Sequence, residues 1–264
     1  MTQRIIHDTA VYNLAQNPTT FDFVTWAVLV KSHGYKTVHF IADQGISEIK
    51  YPAKIAWRRF GNILIPACSL AGLDFTVGGL KEGFTTGWHY GHVEHFYRKT
   101  GFISKLIPTG ILNRKNYVTI TIRDSIRNKW RDSNREAWKK FESYLQSQGK
   151  DVLVLEDAEL APLDLEYRMA LYSQAEMNYG ASNGPFTLCH FSEAPYLTIN
   201  MCPPKPDEED GYDLVEHMAK GGFPVGSQFS FRNKRQKLFW IEDSFENIVR
   251  AHHELWQEIE HPTD

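Results

Sequence analysis

The segment Gly180-Ala181-Ser182-Asn183-Gly184-Pro185 joins a turn of small residues to a proline suited to the first turn of a helix. Amides at such a helix start, together with the helix dipole, favour a negatively charged group. Gly184 permits close approach, so Ser182, Asn183 and Gly184 are candidate contacts to a phosphorylated donor. The same turn without a ligand is an ordinary helix cap. Arg123 is a further candidate, because a guanidinium fork matches a diphosphate bidentately. Arg127 is another, within a stretch from Arg123 to Lys140 that carries seven basic and three acidic residues. Part of that run is equally explained as a solvated helix face. Glu156, followed by Asp157, could accept hydrogen bonds from ribose hydroxyls or a base, or cap the next helix.

The run His89-Tyr90-Gly91-His92-Val93-Glu94-His95 places three histidines and a glutamate in seven residues. Their spacing matches no standard zinc signature. His89 and His92 are read first as contacts to a sugar or acceptor, with Trp88 and Tyr90 available to stack on a ring. A plain aromatic loop and a metal site stand behind that reading. Asp22 falls in the first turn of an expected helix. A carboxylate there can take a proton from an attacking hydroxyl, or simply complement the helix dipole.

The elements that must carry these residues alternate. Tyr117–Ile122 and Asp151–Leu155 are compact, β-branched or leucine-rich runs that read as buried strands. Short strands are also expected near Asn178–Ala181 and Pro195–Asn200. Between them, Ser133 and Glu136 form a capping box that opens a helix ending at Gly149. Asp164–Met177 reads as a helix, and Pro185 opens one running to about Ser192. Strands alternating with helices imply parallel pairing, and ligands in such sheets gather at the carboxyl ends of strands. Arg123, Glu156 and Ser182-Asn183 fall there from three different strands.

The first half carries a shorter α/β unit. Strands are expected at Ala10–Leu14, Lys36–Ala42 and Asp74–Val77, with a helix over Phe21–His33 capped by Thr20 and another over Pro52–Ile63. Gly78–Gly91 reads as loop, and the polar link Asn113–Asn116 marks a boundary between residues 1–115 and 116–264. Toward the end, the loop Gly221–Gln228 follows an acidic, proline-rich stretch, and Asp243-Ser244-Phe245-Glu246 opens a final amphipathic helix.

Composition narrows the class. With 264 residues the chain holds one large or two small domains. A net charge of −3 gives no general attraction to nucleic acid. Three cysteines do not build a disulfide framework and fit a reducing cytoplasm. The N-terminus shows no signal core, and no apolar run spans a bilayer, which leaves at most peripheral contact with a membrane.

The order strand, basic loop, capped helix, strand ending in acid, helix, strand, Ser182-Asn183-Gly184-Pro185, helix, strand resembles the second domain of GT-B glycosyltransferases, in particular the heptosyltransferase-like group. The likeness covers roughly Tyr117–His261 and reaches the first hundred residues only in outline. It implies two Rossmann-like domains with parallel sheets, a cleft between them and a terminal helix crossing back to the first. It also implies a nucleotide-sugar donor on the second domain, a saccharide or lipid-linked saccharide acceptor in cell-envelope polysaccharide synthesis, and Asp22 as the base. No cofactor and no bound metal are called for, because arginine and helix dipole can offset the leaving diphosphate. The family's glycine-rich first loop has no clear counterpart. A nucleotide-sugar epimerase or hydrolase, or a binding relative without catalysis, uses the same scaffold.

Overall fold

The computed structural model describes residues 8–125, 128–158, 162–203 and 213–261, with side chains at 157 and 158 excepted. Arg127, the side chain of Asp157 and most of the acidic proline-rich loop therefore lie outside the described residues.

Two parallel sheets form an α/β structure. The first has the order β1 (Thr9–Asn13), β2 (Thr37–Ile41), β3 (Asp74–Gly78). The second comprises β4 (Tyr117–Asp124), β5 (Asp151–Ala158), β6 (Asn178–Ala181), β7 (Tyr196–Ile199) and β8 (Gln236–Leu238). Its order is β5-β4-β6-β7-β8, all parallel. This is a doubly wound pattern whose direction reverses between β4 and β6, and ligands in such sheets bind in the crevice outside that reversal. The two units are Rossmann-like, and a cleft lies between their carboxyl edges.

In the first unit, α1 (Asp22–Ser32) joins β1 to β2 and buries every residue from Phe23 to Val30. A helix apolar on all sides must be covered on all sides. Here α3 (Ile65–Leu70), α4 (Tyr90–Thr100) and α7 (Thr187–His190) all pack on it. The helix α2 (Ala53–Arg59) continues through a π-helical turn at Phe60–Leu64 directly into α3. In the second unit, α5 (Arg135–Ser147) follows β4, and α6 (Leu165–Gln174) follows β5. The helices α8 (Leu214–Lys220) and α9 (Phe245–Glu260) complete the fold. Among the described residues no helix is long and apolar enough to cross a membrane.

One apolar core joins the units. Tyr12, Trp26 and Phe40 of the first belong to the same cluster as Phe186, Phe191 and Phe229 of the second. A separate core on the other side of the second sheet holds Ile120, Trp138, Phe141, Ile248 and Leu255.

Several local expectations change. The helix opened by Pro185 is a single turn, Thr187–His190, because the chain must reach β7 by Tyr196. Asn134, not Ser133, caps α5 by accepting the Ala137 amide at 3.2 Å. Ser133 instead accepts the Arg123 amide at 2.8 Å. Thr20 does not cap α1; its hydroxyl donates to Asp22 at 2.8 Å. The terminal helix does not cross back: Ile248, Ala251 and Leu255 pack in the second core, against α5 and β7. The sequence reading also omitted α8 and β8 and left α4 undecided.

Asp243 is a structural hub. It is buried and accepts hydrogen bonds from the Asn134 amide at 2.9 Å, the Trp138 indole at 2.8 Å and the Asn200 amide group at 3.0 Å. It thereby ties the loop before α5, the core and the end of β7 together. Asp243→Ala leaves three buried or half-buried donors unpaired, and urea unfolding should show a loss of about 3 kcal/mol. Asp243→Asn, which keeps the shape and one acceptor oxygen, should lose less.

Candidate functional site

A cavity of about 190 Å³ opens where the carboxyl edges of the two sheets meet. Each wall is a segment that follows a strand. Phe21, Asp22 and Thr25 come after β1, Lys50 after β2, and Trp88, His89 and Tyr90 after β3. From the second unit come Arg131 after β4, Ser182, Asn183, Gly184 and Thr187 after β6, and Met201 after β7. Leu214, His217 and Met218 of α8 close the side. Asp22, His89, Ser182, Asn183 and Gly184, far apart in sequence, thus line one cavity. Arg123, Glu156 and His92 do not line it.

Arg123 lies 3.7 Å from Asp132, and its backbone is tied to Ser133. The alternation of a strand explains the difference, since Arg123 is still within β4 and its side chain direction is set by the pleat. Glu156 is likewise inside β5 and pairs with Arg135 at 3.0 Å. From the second unit, the cation that reaches the cavity among the described residues is Arg131, in the 3-10 turn Lys129–Arg131. Its Nε is buried with no hydrogen-bond partner among the described residues, and no carboxylate there pairs with it. Sequence reading passed over Arg131 because it was one of seven basic residues with no strand-end position to single it out.

Three amides at the start of α7 are satisfied within the turn. Phe186 donates to Asn183 Oδ1 at 3.0 Å, Thr187 to Gly184 O at 3.1 Å and Leu188 to Pro185 O at 3.1 Å. These groups are engaged, so the anion-holding role expected of the helix start has no basis in them. Gly184 is close to protein: a Cβ there would meet the Phe21 ring at 2.2 Å. The glycine admits a side chain of the first unit and sets how closely the two sheets approach at the cavity.

The opposite wall is aromatic. Trp88 stacks on His89 with ring centroids 4.2 Å apart, and His89 lies 4.7 Å from His217. The start of α4 and the end of α8 hold this trio together by touching backbone to backbone. A Cβ on Gly91 would lie 1.7 Å from the Gly221 carbonyl oxygen. Burial, then the neighbouring His217 and His92, hold the His89 imidazole below its ordinary pKa, while Asp22 pulls the other way. His92 instead turns back to accept the His89 amide at 3.2 Å, serving the helix start. Beneath the cavity, Tyr90 and Thr198 hydrogen-bond the two nitrogens of His190 at 3.1 and 3.0 Å. Complete burial drives the His190 pKa down to about 3. Among the described residues no three His, Cys, Asp or Glu side chains gather as a metal cluster.

No protein-family model matches the sequence, and no curated protein is similar to it. Several solved structures are similar in shape, two of them as follows. One is the bacterial iron-containing dodecameric glycosyltransferase TibC from enterotoxigenic E. coli H10407, 13% identical, with 95% of this chain and 76% of that chain covered and a TM-score of 0.49. The other is the dodecameric iron-containing heptosyltransferase TibC in complex with ADP-D-β-D-heptose, 13% identical, with coverage of 94% and 77% and a TM-score of 0.42. At these values the likeness is one of overall shape and does not extend to chemistry.

The buried histidine has a measurable consequence. His190 stays neutral in the native state, whereas in the unfolded chain it titrates near 6.5. Protons bound only by the unfolded state lower stability as pH falls from about 6.5 toward 3. Between pH 7.5 and 5.5 this group alone should remove about 1.4 kcal/mol, read from urea unfolding, and His190→Gln should flatten that dependence. Gly184→Ala must displace Phe21 and should cost about 1–3 kcal/mol in the same assay.

Proposed function

We propose that this protein is a glycosyltransferase that moves a sugar from a nucleotide-sugar donor to a saccharide hydroxyl. The observation that carries the reading is one cavity receiving a carboxylate from behind β1 and an arginine, unpaired among the described residues, from behind β4. Sugar transfer needs both ends of that arrangement. The acceptor hydroxyl must lose a proton as it attacks, and the donor's diphosphate must gain negative charge as its bond to the sugar breaks.

In this reading Asp22 takes the acceptor proton. Its carboxylate is half-buried, and the Thr20 hydroxyl fixes it by donating to one oxygen. A single hydroxyl donor leaves the other oxygen available as a base. Arg131, aided by Lys50 and by the Ser182 and Asn183 side chains, faces the leaving diphosphate. The chain's own cations do this work, rather than a bound metal. Trp88, His89 and His217 offer a flat wall against which a sugar or base can stack. The neutral His89 adds no charge to that wall near pH 7. The residues first assigned to the donor, Arg123 and Glu156, keep a scaffolding role through Asp132 and Arg135.

A thermal-shift screen against nucleoside diphosphates and their sugar conjugates tests the reading. A ligand bound only by the native state raises its stability by mass action. One diphosphate should raise the melting temperature of the wild type and of Asp22→Asn, but not of Arg131→Ala. Transfer by Asp22→Asn should fall roughly 10²- to 10⁴-fold, the usual weight of a general base. A full shift in Arg131→Ala, or full turnover in Asp22→Asn, contradicts the assignment.

A further inference from the structure

A second cavity, of about 410 Å³, lies between the carboxyl-terminal end of α1 and the outer side of α4. His33 reaches it from α1, and His92, His95 and Lys99 reach it from α4. Its other walls are apolar or small, and among the described residues no aspartate or glutamate lines it. That is unusual on a chain whose net charge is −3, where an evenly mixed surface would supply a counter-charge.

The nearest acid on the same helix is committed elsewhere. Glu94 is buried and accepts from Arg98 at 2.7 Å and from the Ser230 amide at 3.0 Å. Two of the histidines, His92 and His33, are also held in place. His92 accepts the His89 amide at Nδ1, which leaves Nε2 as the ring's donor. Gly87 packs so close to it that a Cβ there would lie 2.1 Å from Nδ1. His33 packs its ring against Phe96 at 4.5 Å and Phe84 at 5.0 Å. Burial, and then the ammonium of Lys99, hold the His33 imidazole below its ordinary pKa. Four basic groups from two helices therefore share one recess that no acid lines among the described residues, and any positive charges they carry repel one another. A multiply charged anion would relieve that repulsion.

We propose that this cavity binds a phosphate group, held by His33, His92, His95 and Lys99, separately from the cavity that Asp22 and Arg131 line. The assignment does not rest on sugar transfer. Free phosphate and a phosphate carried on a sugar present the same chemistry to these four side chains. Because an anion favours the imidazolium form, binding takes up protons and strengthens as pH falls. The groups facing the recess are His33 from α1 and His92, His95 and Lys99 from α4, and all of them act in the same direction.

The test follows the histidine ring resonances of the full-length protein by NMR at low salt, at pH 6.5 and pH 8. Inorganic phosphate and a hexose 6-phosphate are titrated separately. Resonances of His33, His92 and His95 should move and their pKa values rise, while those of His252 and His253 on α9 stay still. Affinity should weaken severalfold at pH 8. His95→Gln and Lys99→Ala, both at exposed positions, should each weaken it roughly threefold and leave any nucleoside-diphosphate shift intact. Tighter binding of the hexose phosphate assigns the site to a phosphorylated sugar, and equal binding assigns it to phosphate alone. Unmoved His33, His92 and His95 at millimolar phosphate, or movement confined to His89 and His217, overturns the proposal.

Discussion

Phe21 against Gly184 is the contact on which the site's geometry depends. It places the residue just before Asp22 in direct packing with the turn that follows β6, so that the carboxyl edges of two separate sheets share one wall. A side chain as small as a methyl group at Gly184 would lie 2.2 Å from the Phe21 ring. Interiors pack at crystal-like density and transmit such displacements. The close approach is sustained by a core that runs unbroken from Tyr12 and Trp26 to Phe186 and Phe229. Apolar burial of that extent makes the cleft a fixed feature of this chain rather than a gap between loosely tethered halves.

Given that constraint, electrostatics divides the cavity. The first unit brings Asp22 and Lys50, and the second brings Arg131. The aromatic wall of Trp88, His89 and His217 lies between, held by the backbone contact of Gly91 with Gly221. The buried Tyr90–His190–Thr198 chain of hydrogen bonds supports that wall from beneath and carries no net charge. Buried polar groups that are fully hydrogen-bonded rigidify a site, whereas half-satisfied ones loosen it. Arg131 Nε has no hydrogen-bond partner among the described residues, and Arg131 lines the cavity.

Much of this was legible in the sequence. The strands around Thr37, Tyr117, Asp151 and Asn178 were readable because short β-branched runs between polar turns admit few other conformations. Topology sends the loops that follow parallel strands to one edge, and of the expected group Arg123, Glu156 and Ser182-Asn183 only Ser182 and Asn183 line the cavity there. What failed was side-chain direction. Arg123 and Glu156 sit one or two residues inside their strands, where the pleat decides which face each occupies. The register of β4 on β5 was not available from one sequence. Gly184 was read as a ligand contact; it lines the cavity and also packs against Phe21, and no local pattern shows the second role. α8 was hidden behind the acidic loop, and β8 is only three residues long.

The most direct measurement of the central claim is a crystal structure of the protein soaked with a sugar nucleotide. The account predicts ligand density between Arg131 and Ser182 on one side and Trp88 and Asp22 on the other, with the diphosphate nearest the guanidinium. Density that lies outside this cleft, or a guanidinium that turns away from the phosphates, would contradict it.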